Sequence, residues 1–134
     1  MFTRRKFPKS ERLRNEILIA SLFKQGKRFY YGGFVFIKLL CDNTFDDNIN
    51  SGKHSNIQFF VGVRKKDFKH AVKRNKIRRL IKESYRNNKS LLENYPIPDK
   101  KILLLGVLYV GKTIPSYQEC ANNMSSFIKN NILK

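Results

Sequence analysis

Near the middle of the chain, residues 71–86 read AVKRNKIRRLIKESYR and interleave cations with an apolar stripe at helical spacing. At about 100° per residue, Ile77, Leu80, Ile81, Ser84 and Tyr85 fall on one side of a helix. Asn75, Arg78, Arg79, Lys82 and Arg86 fall on the other. Such a segment folds only where a core takes the first face and solvent or a ligand takes the second. From Arg64 to Lys89, twelve Lys/Arg stand against Asp67 and Glu83, a net of +10 over 26 residues. Like charges at this density repel one another, and a polyanion removes that repulsion.

The rest of the chain has the same bias. A formal net charge of +18 over 134 residues predicts nucleic acid or an anionic membrane surface as partner. A hydrophobic fraction of 41%, with 11 Phe and 6 Tyr, excludes a disordered basic tail and predicts a single domain over 1–134. No apolar run approaches the ~20 residues of a membrane span. The first residues, MFTRRKFPKSERL, are basic but lack the apolar core of a secretion signal. Cys41 and Cys120 have no CxxC neighbour and read as reduced, structural thiols. The expectation is a cytoplasmic protein with no membrane association and no protein partner.

Residues 1–14 read as an extended basic arm. Asn15 as N-cap, Glu16 in the first turn and Gly26 at the end frame a first helix with Leu18, Ile19, Leu22 and Phe23 on its apolar stripe. Tyr30-Tyr31-Gly32-Gly33 turns into a strand over 34–40, and a second strand covers 57–64. The polar stretch 41–56 reads as a flexible, solvated hairpin loop. A helix is predicted over 68–88, a connector with Pro96 and Pro98 over 91–100, and a buried strand over 101–110. Pro115 is placed in the first turn of a closing helix that carries Tyr117, Cys120, Met124, Phe127, Ile128 and Ile132. The order is α-β-β-α-β-α, with room for one extra short strand in the first hairpin, so the fold class is α+β.

Arg74-Asn75-Lys76-Ile77-Arg78-Arg79-Leu80-Ile81 resembles the RNR signature of the bacterial ribonuclease P protein subunit. Val63-Arg64-Lys65-Lys66 is similar to the strand end that precedes it in that family. Glu11 to Asn15 followed by Leu22-Phe23-Lys24-Gln25-Gly26 is similar to the family's first helix. The resemblance implies a single-domain α/β sandwich on a central, mostly antiparallel sheet, with a left-handed βαβ crossover. It implies binding to the catalytic RNA of ribonuclease P and to the 5′ leader of precursor tRNA, in Mg²⁺-dependent tRNA 5′ maturation. Hydrolysis then belongs to the RNA, and the chain alone is expected to be inactive. Mg²⁺ is expected to be bound mainly by the RNA.

On this reading the RNA-binding residues are Arg74, Asn75, Lys76, Arg78, Arg79, Lys82 and Arg86, with Lys65 and Lys66 beside them. Arginine forks match phosphate bidentately. Lys76, where the signature has arginine, keeps the charge and loses the fork. Glu83 is expected to pair with Arg79. By resemblance, Ile19, Phe23, Phe34, Phe36 and Ile37 are candidates for a leader cleft between the first helix and the sheet; core packing is the competing reading of each. Period 2 sets Phe34 and Phe36 on the face opposite Val35 and Ile37, without deciding which face lines the cleft. His54 and His70 lack metal-ligand spacing, and no paired carboxylates suggest a two-metal nuclease. The alternatives are a ribosomal or other structural RNA-binding protein, and a protein-only endoribonuclease.

Overall fold

The computed structural model describes residues 12–42, 56–93 and 95–133. The order is α1 (Glu16–Gln25), β1 (Lys27–Tyr31), β2 (Phe34–Asp42), β3 (Ile57–Val63), α2 (Ala71–Asn88), β4 (Lys101–Tyr109) and α3 (Tyr117–Phe127). A short 3-10 turn (Lys89–Leu92) follows α2, and a π turn (Ile128–Ile132) extends α3. The extra hairpin strand is therefore present as β1. The sheet order is β1-β2-β4-β3, antiparallel except for the β3–β4 pair. The β3–α2–β4 segment is thus a crossover between adjacent parallel strands.

Alternation along the strands splits the core into two layers. Phe34, Phe36, Phe59, Val107 and Tyr109 point to the α2/α3 side, where they meet Ile77, Ile81, Tyr85, Met124 and Phe127. Val35, Ile37, Ile102 and Leu104 point to the other side, where Leu22 of α1 and Leu13 cover them. The α2/α3 layer is the more aromatic: Phe36 stacks on Phe127 at 4.5 Å and Phe59 on Tyr85 at 4.0 Å. Offset or parallel ring pairs add to simple burial.

Local chemistry sets the boundaries. The Asn15 side chain accepts from the backbone N–H groups of Ile17 and Leu18, as its N-cap role predicts. Gly26 follows α1 without space for a side chain: a Cβ there would lie 2.3 Å from the Leu22 carbonyl and 2.5 Å from Ile37 Cγ2. Gly32, at φ +58, makes the β1–β2 turn.

Several boundaries move. α2 begins at Ala71 rather than residue 68, because Phe68 is buried in the core and its carbonyl is taken by Arg74. Pro115 lies outside α3. The start is fixed by a Ser116–Glu119 capping box, in which Ser116 Oγ accepts from the Glu119 N–H and the Glu119 carboxylate accepts from the Ser116 N–H. Cys41 and Asp42 belong to β2 rather than to the loop, and residues 43–55 lie outside the described residues. Of the basic arm, Arg12 forms a parallel bridge with Phe59, and the Leu13 N–H donates to the Phe59 carbonyl. The C-terminal turn is fastened back onto the first hairpin: Tyr31 donates to the Asn131 side chain and Lys38 to the Asn131 carbonyl.

Candidate nucleic-acid interface

Burial of one face of α2 fixes the direction of the other. Ile77, Ile81, Ser84 and Tyr85 are buried, and Ser84 Oγ donates to the Ile81 carbonyl at 2.7 Å. The polar side then borders a groove of about 510 Å³. Asn75, Arg78, Arg79, Lys82 and Arg86 line it, as the helical spacing predicts, together with Glu83 and Arg12. Five cations thus converge on one concave surface. Arg12 escaped sequence reading as a groove residue because its position depends on the bridge to Phe59, which leaves no local signal.

The hydrogen bonding inside the groove organises donors. Arg78 Nη1 donates to Asn75 Oδ1 at 2.9 Å, so the Asn75 carbonyl is occupied and its amide N–H groups are the part offered outward. Glu83 pairs with Arg86 at 3.8 Å, three residues on, and not with Arg79. The difference is one of rotamer direction on a shared face, and it leaves Arg79 exposed. Lys82 has its pKa lowered, first by burial and then by the charges of Arg12, Arg78 and Arg14. Its ammonium is held in an unfavourable field, and a polyanion in the groove reverses the sign of that field.

The other cations predicted to act with this face are placed differently. Arg74 does not line the groove. Its Nη1 donates to the Phe68 and Lys69 carbonyls at 2.7 and 2.8 Å, bracing the loop that leads into α2. Lys76 is exposed outside the groove, and Lys65 and Lys66 are exposed on the turn after β3. That turn is held by Asp67, whose carboxylate is 1% exposed and accepts from Arg64 Nε at 2.9 Å and Lys112 Nζ at 2.6 Å. The bond from Lys112, then those from Arg64, hold the Asp67 carboxyl below its usual value against the opposing effect of burial.

Asp67 therefore gives a pH signature. A carboxylate with a depressed folded pKa stabilises the fold above its unfolded value of about 3.9, and that contribution disappears as pH falls through the folded value. The Asp67→Asn variant should melt below the wild type at neutral pH. The gap should close as the pH is taken down from about 4. Paired thermal melts across pH check this; a gap independent of pH contradicts it.

On the opposite sheet face, Ile19 and Phe23 of α1 are half-buried over the second core layer. Phe34 and Phe36 are not there: they are 2% and 0% exposed in the α2/α3 layer, packed on Tyr109 and Phe127. They are core residues and are withdrawn as cleft residues. Ile37 faces α1 but is 0% exposed, so it underlies that surface without forming part of it. Two residues not singled out from sequence stand beside Phe23. Phe60 of β3 meets it edge-on at 5.6 Å, and the Arg28 guanidinium lies 5.8 Å from its ring centre. The period-2 alternation of β3 carried the signal for Phe60.

Among the described residues, no three His, Cys, Asp or Glu side chains gather as metal ligands, and no helix is long and apolar enough to cross a membrane.

Residues 7–130 match the ribonuclease P family. The chain is 35% identical over 129 residues to the ribonuclease P protein component of Chlorobium phaeobacteroides, covering 91% of this chain and 85% of that one. To the same component of Porphyromonas gingivalis it is 31% identical over 111 residues, 82% and 74% of the two chains. The fold is shared with the RNase P protein of Staphylococcus aureus (TM-score 0.60, 19% identity, 90% and 94% covered). It is shared equally with that of Thermotoga maritima (TM-score 0.60, 22% identity, 89% and 98% covered).

Proposed function

The chain belongs to the ribonuclease P protein family, and from that premise we propose that the α2 groove grips the catalytic RNA of ribonuclease P while the α1 face of the sheet receives the 5′ leader of precursor tRNA. The protein component is part of the ribonucleoprotein endoribonuclease of tRNA 5′ maturation; the comparisons lend nothing to the ribosomal alternative. One observation carries the assignment of the groove: five cations converge on a surface whose opposite side is committed to the core. Guanidinium forks and the Asn75 amide suit phosphate and ribose oxygens. Arg74 braces the entry to α2, and Lys65 and Lys66, exposed on the turn that Asp67 holds, add to the phosphate-binding surface.

The side chains supply no cluster of carboxylates for a two-metal site among the described residues. The proposal accordingly assigns Mg²⁺ and the hydrolytic step to the RNA. The chain's part is electrostatic: it neutralises phosphates that would otherwise repel the substrate, which lowers the Mg²⁺ concentration the RNA requires.

The test is cleavage of a precursor tRNA by the family's catalytic RNA across a Mg²⁺ titration, with and without this chain. The expected result is no cleavage by protein alone and a shift of the RNA-catalysed reaction to lower Mg²⁺ when protein is added. An unchanged titration rejects the assignment.

A further inference from the structure

Lys82 stands at the middle of the α2 groove. The side chains at i−4, i−3 and i+4 are its neighbours along one helix face, and here those are Arg78, Arg79 and Arg86. Arg12 closes the groove from the bridging segment that precedes α1. Lys82 is half-buried among them, whereas Lys65, Lys66, Lys73 and Lys76 are exposed outside the groove. Glu83, the carboxylate in the lining, turns to Arg86 at 3.8 Å, and no carboxylate pairs with Lys82 among the described residues. Arg86 Nε is buried and has no hydrogen-bond partner among the described residues. The groove therefore holds an amine among guanidinium groups with a donor to spare. Burial, then the charges of Arg12, Arg78 and Arg14, lower the Lys82 pKa. A larger share of it is then the neutral, nucleophilic amine than for a solvated lysine at the same pH.

We propose that Lys82 is an acylation site, taking its acyl group from an acyl phosphate held by the groove arginines, and that acylation there weakens the grip on RNA. The second half rests on the groove assignment above. The donor follows from the chemistry of the site. Guanidinium forks bind a phosphate dianion bidentately, and a phosphate so held brings its acyl carbon to Lys82, the one lysine among the described lining residues. The ammonium first gives a proton to water. The Nζ lone pair attacks the acyl carbon, a C–N bond forms, and the C–O bond to the phosphate breaks with its electron pair leaving on phosphate. The second proton goes from nitrogen to the departing phosphate. Nothing is oxidised or reduced, and the arginines stabilise the leaving group. The product is a neutral amide where the groove had a cation. Bound RNA occupies the same arginines and shields Lys82, so the chain outside its complex is the substrate.

The experiment treats the full chain with acetyl phosphate and follows acetylation residue by residue by peptide mass spectrometry. Lys82 should be acetylated ahead of Lys65, Lys66, Lys73 and Lys76, although those four are the more exposed. With N-acetoxysuccinimide, an acyl donor without phosphate, that lead should shrink. Arg78→Gln should reduce the lead with acetyl phosphate. Once Lys82 is acetylated, the log–log salt dependence of binding to the catalytic RNA should flatten by about 0.7 to 0.9 units, one phosphate contact. The same treatment of Lys82→Arg should leave that variant's slope where it began. Acetylation that follows exposure, with Lys82 last, overturns the site, and an equal lead with both donors overturns the phosphate hold. A Lys82 lead with an unchanged slope overturns the effect on RNA. An untreated wild type that does not bind the catalytic RNA rejects the groove assignment instead, and the order of acetylation then decides the site by itself.

Discussion

Replacing Arg78, Arg79 and Lys82 together by alanine is expected to leave the fold standing while removing most of the affinity for the catalytic RNA. The three line one groove on the solvent side of α2, and none contributes to the buried face. Each lost phosphate contact flattens the log–log dependence of affinity on salt by about 0.7 to 0.9. Three contacts then flatten it by about 2 to 3 units, or about 100- to 1,000-fold in affinity over the decade from 1 M to 0.1 M salt. Binding isotherms at several salt concentrations check both slope and magnitude. The free protein should melt no lower than wild type, because the variant removes the partly buried Lys82 ammonium, which burial and then the nearby arginines, Arg78 among them, disfavour. A slope unchanged from wild type would make the groove a solvated surface; a lowered melt would mean that the cations support the fold.

The selectivity of that variant depends on the two-faced character of α2, and this was the most legible part of the sequence. Ile77, Ile81, Ser84 and Tyr85 on one side and Arg78, Arg79 and Lys82 on the other follow from a 3.6-residue period with little help from tertiary structure. The roles of individual cations were less legible. Arg74 stands within the same motif as Asn75, yet its guanidinium turns to two loop carbonyls that only the bent entry to α2 exposes. Arg12 enters the groove through strand pairing with a residue 47 positions away, Phe59, and no window of sequence contains both.

Strand alternation had a similar limit. Period 2 separated Phe34 and Phe36 from Val35 and Ile37, but could not name the face covered by α1. That choice is made by the helices: α3 brings Phe127 onto Phe36, and the larger rings gather in the layer with two helices above it. The start of α3 was a different kind of miss. Ser116 and Glu119 have the spacing of a capping box, and that signal outranks a proline whose φ suits a first turn. The strand order, with β4 between β2 and β3, depends on the crossover through α2 and has no local signature.

Truncating Tyr85 to alanine is expected to be the most destabilising single change on α2, and the RNA should partly reverse it. Tyr85 is 2% exposed and lies flat on Phe59 at 4.0 Å and 5° between planes. Removing a buried aromatic side chain costs about 3 to 5 kcal/mol, a large part of the roughly 5 to 15 kcal/mol available to a domain. For a chain of this size that lowers the melting temperature by about 10 to 20 °C. The loss is specific in place, since Phe59 also accepts the Leu13 N–H and carries the Arg12 bridge. Tyr85→Ala thus loosens both the helix and the strand that deliver cations to the groove. A ligand that binds only the folded chain adds stability by mass action, about 2.7 kcal/mol at one hundred times its dissociation constant. Melts of wild type and Tyr85→Ala with and without the catalytic RNA therefore separate two outcomes. If the groove is intact in the folded variant, added RNA raises both melting temperatures by similar amounts. If α2 must be seated on Phe59 for its cations to converge, the variant gains markedly less than the wild type, and packing beneath the helix is then a determinant of RNA affinity.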